Sequence, residues 1–179
     1  MAMKFDIQFC GHSSDSTEYD VIVDDDCFEM LVTRHPYKIE RWITEIENWN
    51  NRRLHLKKNH KIPEDLKEFL KNPNYTFVGV GIENDKQKLY IDHGLEVGKC
   101  RDLRQWAANE LRDESIGNFG LVKLAKLIIG KDVGDVDRMK KVKMSDWGSV
   151  CLSNEHVMFA CIDAYLSFAI GRALQSWYD

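Results

Sequence analysis

An α/β fold is what this sequence predicts, and three observations predict it. The run Thr76 to Ile82 (TFVGVGI) is apolar and long enough for a buried strand. Two β-rich runs, Tyr19 to Val23 and Cys27 to Thr33, flank Asp24, Asp25 and Asp26 and read as a hairpin. Other stretches carry apolar residues at helical spacing, such as Ile39, Trp42, Ile43 and Ile46.

In chain order, residues 1–18 are rich in Ser, Asp and His and thin in apolar pattern, so a flexible N-terminal arm is expected. Residues 19–179 read as one domain, with no internal repeat and no linker. The three aspartates of the hairpin read as a solvated turn that keeps the hairpin soluble, ahead of a metal site. Pro36 closes that unit, and Tyr37 to Asn50 forms an amphipathic helix. Between Asn50 and His60, Leu54 and Leu56 alternate with charges, which allows at most one short strand. Pro63 opens a helix through Leu66, Phe69 and Leu70, and Asn72-Pro73-Asn74 breaks it. Gly79 and Gly81 let another group approach the following strand closely. Asp85 is positioned to cap the next helix, which runs to Gly94. A short strand near Cys100 to Leu103 precedes a helix from Leu103 to Leu111. Gly120 to Gly130 is helical, with Leu121, Leu124, Ala125 and Ile128 on one face. Lys131 to Ser145 reads as a charged loop. Ser153 caps the last helix, Asn154 to about Ser176. Val157, Cys161, Ala164 and Phe168 form its contact face, and Phe159, Asp163, Leu166 and Ile170 a neighbouring stripe.

Composition bounds the function. The chain has 179 residues, 44% hydrophobic and 30% charged, enough for one ordinary domain and inconsistent with wholesale disorder. No uninterrupted apolar run approaches the roughly 20 residues of a membrane span, so no membrane partner is expected. The first residues carry no apolar segment of signal-peptide length, which makes the cytoplasm or nucleus the expected location. The five cysteines are widely spaced, without zinc-type pairs, and read as reduced thiols. A net charge of −4 argues against bulk electrostatic binding to nucleic acid but leaves room for a local basic groove. Two basic clusters exist: Arg52, Arg53, His55, Lys57, Lys58, His60 and Lys61; and Arg138, Lys140, Lys141 and Lys143. Charge blocks of this kind are usually solvated.

Two aspartates stand out by context. Asp85 follows a buried-type strand, and Asp163 interrupts the apolar stretch Phe159 to Tyr165. A carboxylate facing a core is costly unless it is paired or binds a cation. On spacing alone, Asp85 reads as a helix cap and Asp163 as a carboxylate satisfied by a backbone amide or a basic residue.

Three ordered segments carry more: FVGVGIENDKQKL, GLVKLAKLIIGK and SDWGSVCLSNEHVMFACIDAYLSFAIGRAL. Together they resemble the Werner-syndrome-type 3′-5′ exonuclease domain of the DEDD superfamily, and within it the small single-domain plant members. The hairpin YDVIVDDDCFEMLVT and the segment IPEDLKEFLKNPNYTFVGVGI fit the same group, so the resemblance covers nearly all of residues 19–179. It implies a ribonuclease-H-like fold, a central mixed sheet with helices on both faces. It also implies hydrolysis of the terminal phosphodiester at a nucleic-acid 3′ end, DNA or RNA. In that chemistry four carboxylates hold two Mg²⁺ or Mn²⁺ ions about 4 Å apart across the scissile phosphate. Asp85 corresponds to the family's second-motif aspartate and Asp163 to its third-motif aspartate, both metal ligands. Lys140, Lys141 and Lys143 are the expected contacts to the substrate backbone.

Two positions depart from the family pattern. Many active members carry a tyrosine one helical turn before the third-motif aspartate; here that position is Phe159, and Met158 precedes it. The first motif, an Asp-x-Glu on a central strand, should fall between the helix ending near Asn50 and Ile62. Only NNRRLHLKKNHK lies there, with no acidic residue. The domain therefore reads as truncated between about 50 and 62, lacking the family's first core strands. Glu83 and Asp85, or Asp24 to Asp26, are poor substitutes: the first pair is taken up by the second motif, and the second group lies at a hairpin tip. The reading that follows is a family member acting on or binding nucleic acid, impaired in catalysis. The alternative is a non-catalytic nucleic-acid-binding or protein-interaction module. A thinner sheet also exposes apolar helix surface and favours a homo-oligomer.

Overall fold

The apolar and polar alternation from Ser16 to Thr33 folds as a hairpin. β2 (Ser16–Val23) and β3 (Asp26–Thr33) pair antiparallel, with Val23 opposite Asp26 and Tyr19 opposite Met30. Tyr19, Val21, Val23, Phe28, Met30 and Val32 are buried, as a period of two requires of one face. At the turn Asp24 takes a left-handed φ of 54°. Its N–H donates to the Lys4 carbonyl at 2.9 Å, and its carboxylate accepts from the Lys4 N–H at 3.0 Å. The computed structural model describes residues 3–13, 16–33, 35–48, 52–56, 62–134, 136–147 and 152–176.

Residues 5–13 are not an irregular arm. β1 (Phe5–Ser13) pairs antiparallel with β2, with an irregularity between Phe9 and Gly11. Phe5, Ile7 and Phe9 alternate with Asp6 and Gln8, a strand period hidden by the polar composition around it. After Pro36, which suits a first helical turn, α1 (Pro36–Asn48) buries Ile39, Trp42 and Ile43. The short strand expected in the bridge exists: β4 (Arg52–Leu56) pairs parallel with β3. Asn50, Lys57, Lys58, His60 and Lys61 lie outside the described residues. The result is a mixed four-stranded sheet of order β1-β2-β3-β4.

Downstream follow α2 (Glu64–Lys71), β5 (Thr76–Gly79), α3 (Ile82–His93), β6 (Lys99–Asp102), α4 (Leu103–Leu111), a 3-10 turn (Glu114–Asn118) and α5 (Leu121–Ile129). β5 and β6 form a two-stranded parallel sheet, so the described strands divide between two sheets. β5 stops at Gly79, short of the expected Ile82, because Gly81 turns left-handed at φ 77° and α3 begins next. The charged stretch after Lys131 is not a loop throughout: it contains α6 (Val136–Lys143). Lys, Arg and Met favour helix, and that propensity prevails over a thin apolar pattern.

The long α7 (Asn154–Gln175) closes the chain, entered through Ser153 as expected; the Ser153 hydroxyl accepts from the His156 N–H at 3.4 Å. Its buried stripe runs through Val157, Cys161, Ile162, Leu166, Ile170 and Leu174. Phe168, expected on the contact face, is exposed, and so is Asp163. By length and composition α7 would suffice to cross a membrane, which the interrupted apolar runs did not suggest; its buried stripe is that of a core helix.

By chain contacts there are two compact units. One comprises Met3–Leu66 and Asp135–Ile162, the other Lys67–Gly134 and Asp163–Asp179. In the first, Cys161 lies against Met30 in the core. In the second, a Cβ on Gly171 would stand 3.2 Å from Val78 Cγ2, so glycine lets α7 approach β5 closely.

Candidate functional site

Asp85 sits in the first turn of α3, three residues after its first residue. It does not cap that helix. Gly81 occupies the cap position and makes no side-chain cap bond. A different carboxylate holds this corner. Asp102 ends β6 and caps α4, accepting from the Arg104 N–H at 2.9 Å. It also accepts from Arg104 Nε at 3.0 Å and Nη2 at 2.8 Å, and from the Gly81 N–H at 2.8 Å. One half-buried carboxylate thus joins the β5–α3 corner to the β6–α4 corner and sets the direction in which α3 leaves. Burial alone would raise the Asp102 carboxyl. The hydrogen bonds from Arg104 and Gly81 and the guanidinium charge outweigh it and hold the group below the usual carboxylate range. The local sign of this residue in the sequence is an aspartate at a strand-to-helix junction with an arginine two positions on.

Asp163 projects from the exposed side of α7, while its neighbours Cys161 and Ile162 are buried. The expected cost of a carboxylate facing a core therefore does not arise. Phe159, one helical turn earlier, is half-buried, and its ring meets Trp147 at 5.8 Å between centroids. Trp147 also meets His156 edge-on at 4.9 Å. Phe159 offers no hydroxyl in the place where the family resemblance expects one.

Lys140, Lys141 and Lys143 occupy the last turn of α6, all exposed. The Trp147 indole N–H donates to the Val142 and Lys143 carbonyls, each at 3.2 Å, and ties off the end of that helix. The sequence reading missed Trp147 and His156 as the brace between the basic helix and the start of α7.

The donor set can be tested against two divalent cations. Among the described residues, no group of three or more His, Cys, Asp or Glu side chains could hold a metal ion. Asp85 and Asp163 are each exposed on a helix, and Glu83 faces Lys86 at 3.8 Å. Hard divalent ions take six or more oxygen ligands and need several carboxylates to compete with water. The described residues do not fit a two-cation centre.

Comparison with known proteins adds the lineage. A family model described as 3′-5′ exonuclease matches residues 39–178. A 3′-5′ exonuclease of Drosophila willistoni is 36% identical over 125 residues, covering 67% of this chain and 34% of that protein. A 3′-5′ exonuclease of Arabidopsis thaliana is 26% identical over 121 residues, covering 66% of this chain and 39% of that protein. The chain thus spans between a third and two fifths of the length of these relatives. Among solved structures, Brucella melitensis NrnC superposes with a TM-score of 0.57 at 14% identity, over 98% of this chain and 72% of that one. That likeness concerns the fold, α/β of the ribonuclease-H-like class, as the sequence resemblance implied.

Proposed function

Since the chain belongs to the 3′-5′ exonuclease family, we propose that it engages the 3′ end of a nucleic-acid strand and is impaired in cutting it. One observation carries the reading: residues 50–62, where the family's first pair of carboxylates belongs, contain no Asp or Glu. Asp85 and Asp163 remain, and two exposed carboxylates are too few to gather a pair of Mg²⁺ or Mn²⁺ ions from water. Phe159 in place of the family tyrosine points the same way, because it cannot hydrogen-bond water. The binding half of the reading is supported by the exposed Lys140, Lys141 and Lys143, whose charges suit a phosphate backbone.

The test is incubation with oligonucleotides, DNA and RNA, labelled internally so that shortening from the 3′ end is visible, with Mg²⁺ or Mn²⁺ and an Asp163→Ala control. The expected result is retention of the strand, weakening steeply with salt, and no shortening. Shortening that requires the metal and disappears in Asp163→Ala would show an active nuclease whose missing ligands come from elsewhere in the chain. Failure to retain any nucleic acid would leave a protein-interaction module.

A further inference from the structure

We infer that the last turn of α6 and the residue after it form a surface selective for single-stranded nucleic acid. The lysines meet phosphates, and Met144 lies against an unpaired base. The inference rests on the nucleic-acid reading above and adds strand type and a contact residue to it.

The helix phase supplies the first argument. The Met144 N–H donates to the Lys140 carbonyl at 3.1 Å, so the helical turn continues through Met144. At about 100° per residue, Lys143 lies roughly 60° to one side of Lys140. Met144 lies roughly 40° and Lys141 roughly 100° to the other side. Val142 is buried and falls almost opposite. The three lysines and the methionine therefore share one solvent sector, with Met144 between Lys140 and Lys141. Asp137 and Asp146 flank the turn in sequence, but the turn itself carries no carboxylate.

Exposure and bracing supply the second. Met144 is 83% exposed, the highest value for a large hydrophobic side chain among the described residues. The backbone beneath it is fixed. Trp147 Nε1 binds two carbonyls of the turn, and the Ser145 hydroxyl donates to the Val142 carbonyl at 2.6 Å. With its one proton so used, Ser145 Oγ accepts from His156 Nε2–H at 2.8 Å. The other ring nitrogen then accepts from the Ser153 hydroxyl at 2.7 Å. An apolar tip is thus held out in water, on a braced turn, at the centre of a basic sector.

Ligand chemistry follows from that combination. Lysines alone would serve any polyanion. A flexible thioether adapts to the face of any base but needs that face uncovered, and within a duplex both faces of every internal base are stacked. The arrangement fits a single strand, read without base preference.

The experiment measures binding of a fluorescent oligothymidine and of a blunt duplex by anisotropy, in EDTA so that no cutting intervenes. The parent should prefer the single strand. Met144→Ala should weaken single-strand binding about fivefold, the size of one sulfur–aromatic contact, and leave the salt slope unchanged. Met144→Leu should restore most of the affinity. Lys140→Ala combined with Lys143→Ala should lower the salt slope by roughly 1.4, about 0.7 for each phosphate contact. If the parent binds nucleic acid but Met144→Ala binds as the parent does, this inference fails and the family reading stands. Equal affinity for the duplex, or displacement by polyglutamate as effective as by oligothymidine, would likewise overturn it. A parent that binds no nucleic acid would overturn both.

Discussion

In the β1–β4 sheet, strands of up to nine residues alternate apolar and polar side chains, and Val21 and Val23 are completely buried. In the β5–β6 sheet, two strands of four residues bury none of their side chains fully. The second sheet is held in other ways. The Asp102 carboxylate gathers donors from two corners, and the Gly98 N–H donates to the Leu70 carbonyl at 2.8 Å. Gly98 has no room for a side chain there, since a Cβ would stand 2.9 Å from the Lys71 carbonyl oxygen. The contrast separates two kinds of stability. Apolar alternation spreads its contribution over many residues and is indifferent to pH. Polar anchoring concentrates it in a few groups, one of them titratable. The polar-anchored sheet carries the corner from which Asp85 projects.

The largest effect is expected where anchoring is most concentrated. Asp102→Ala leaves the Gly81 N–H and the Arg104 guanidinium without their carboxylate and removes the α4 cap. A loss of about 3 kcal/mol is expected, read by urea unfolding, with hydrogen exchange rising first in β5 and β6. The pH dependence has a definite sign. Asp102 is depressed in the folded state, so its contribution is complete above the unfolded carboxylate pKa of about 3.9 and is lost as pH falls through the lower folded value. The gap between parent and Asp102→Asn should therefore narrow as pH drops below about 4. A gap that stays constant to acid pH would mean the carboxylate charge contributes nothing. Val21→Ala, in the other sheet, should cost about 2 kcal/mol through lost burial and a residual cavity. That loss should not change over the same pH range, and a change would erase the distinction between the two sheets.

The sequence discloses the first sheet better than the second for the same physical reason. Period-two and helical patterns register burial, and burial dominates the hairpin, α1 and α7. β1 escaped because its alternating Phe5, Ile7 and Phe9 are set among Ser, Asp and His. α6 escaped because charge obscures the helix-forming character of its lysines. Asp102 was out of reach: it binds Gly81, 21 positions earlier in the chain, as well as Arg104, and no local window contains both corners. The candidate site divides similarly. Family likeness pointed to Asp85, Asp163, Phe159 and the missing acidic pair. The outward direction of Asp163 and the central position of Met144 depend on helix phase, which a one-residue uncertainty at a helix start rotates by about 100°.

The smallest effect tests how much the second sheet can yield. Gly171 lies inside α7, where alanine is intrinsically better by about 1 kcal/mol. Opposing this, the added Cβ would press on Val78 Cγ2 at 3.2 Å, close enough that the strand must give by a few tenths of an ångström. A rigid core would turn that crowding into a loss of 1–3 kcal/mol. β5 has only one neighbouring strand among the described residues, so it should shift at little cost. Gly171→Ala is expected to leave stability within about 0.5 kcal/mol of the parent, as crowding and helix propensity offset each other. In a Val78→Ala background the crowding disappears, and the same substitution should stabilise by about 1 kcal/mol. A loss above about 2 kcal/mol in the parent background would mean that β5 is as rigidly packed as the hairpin strands, and the contrast between the two sheets would then concern polarity alone.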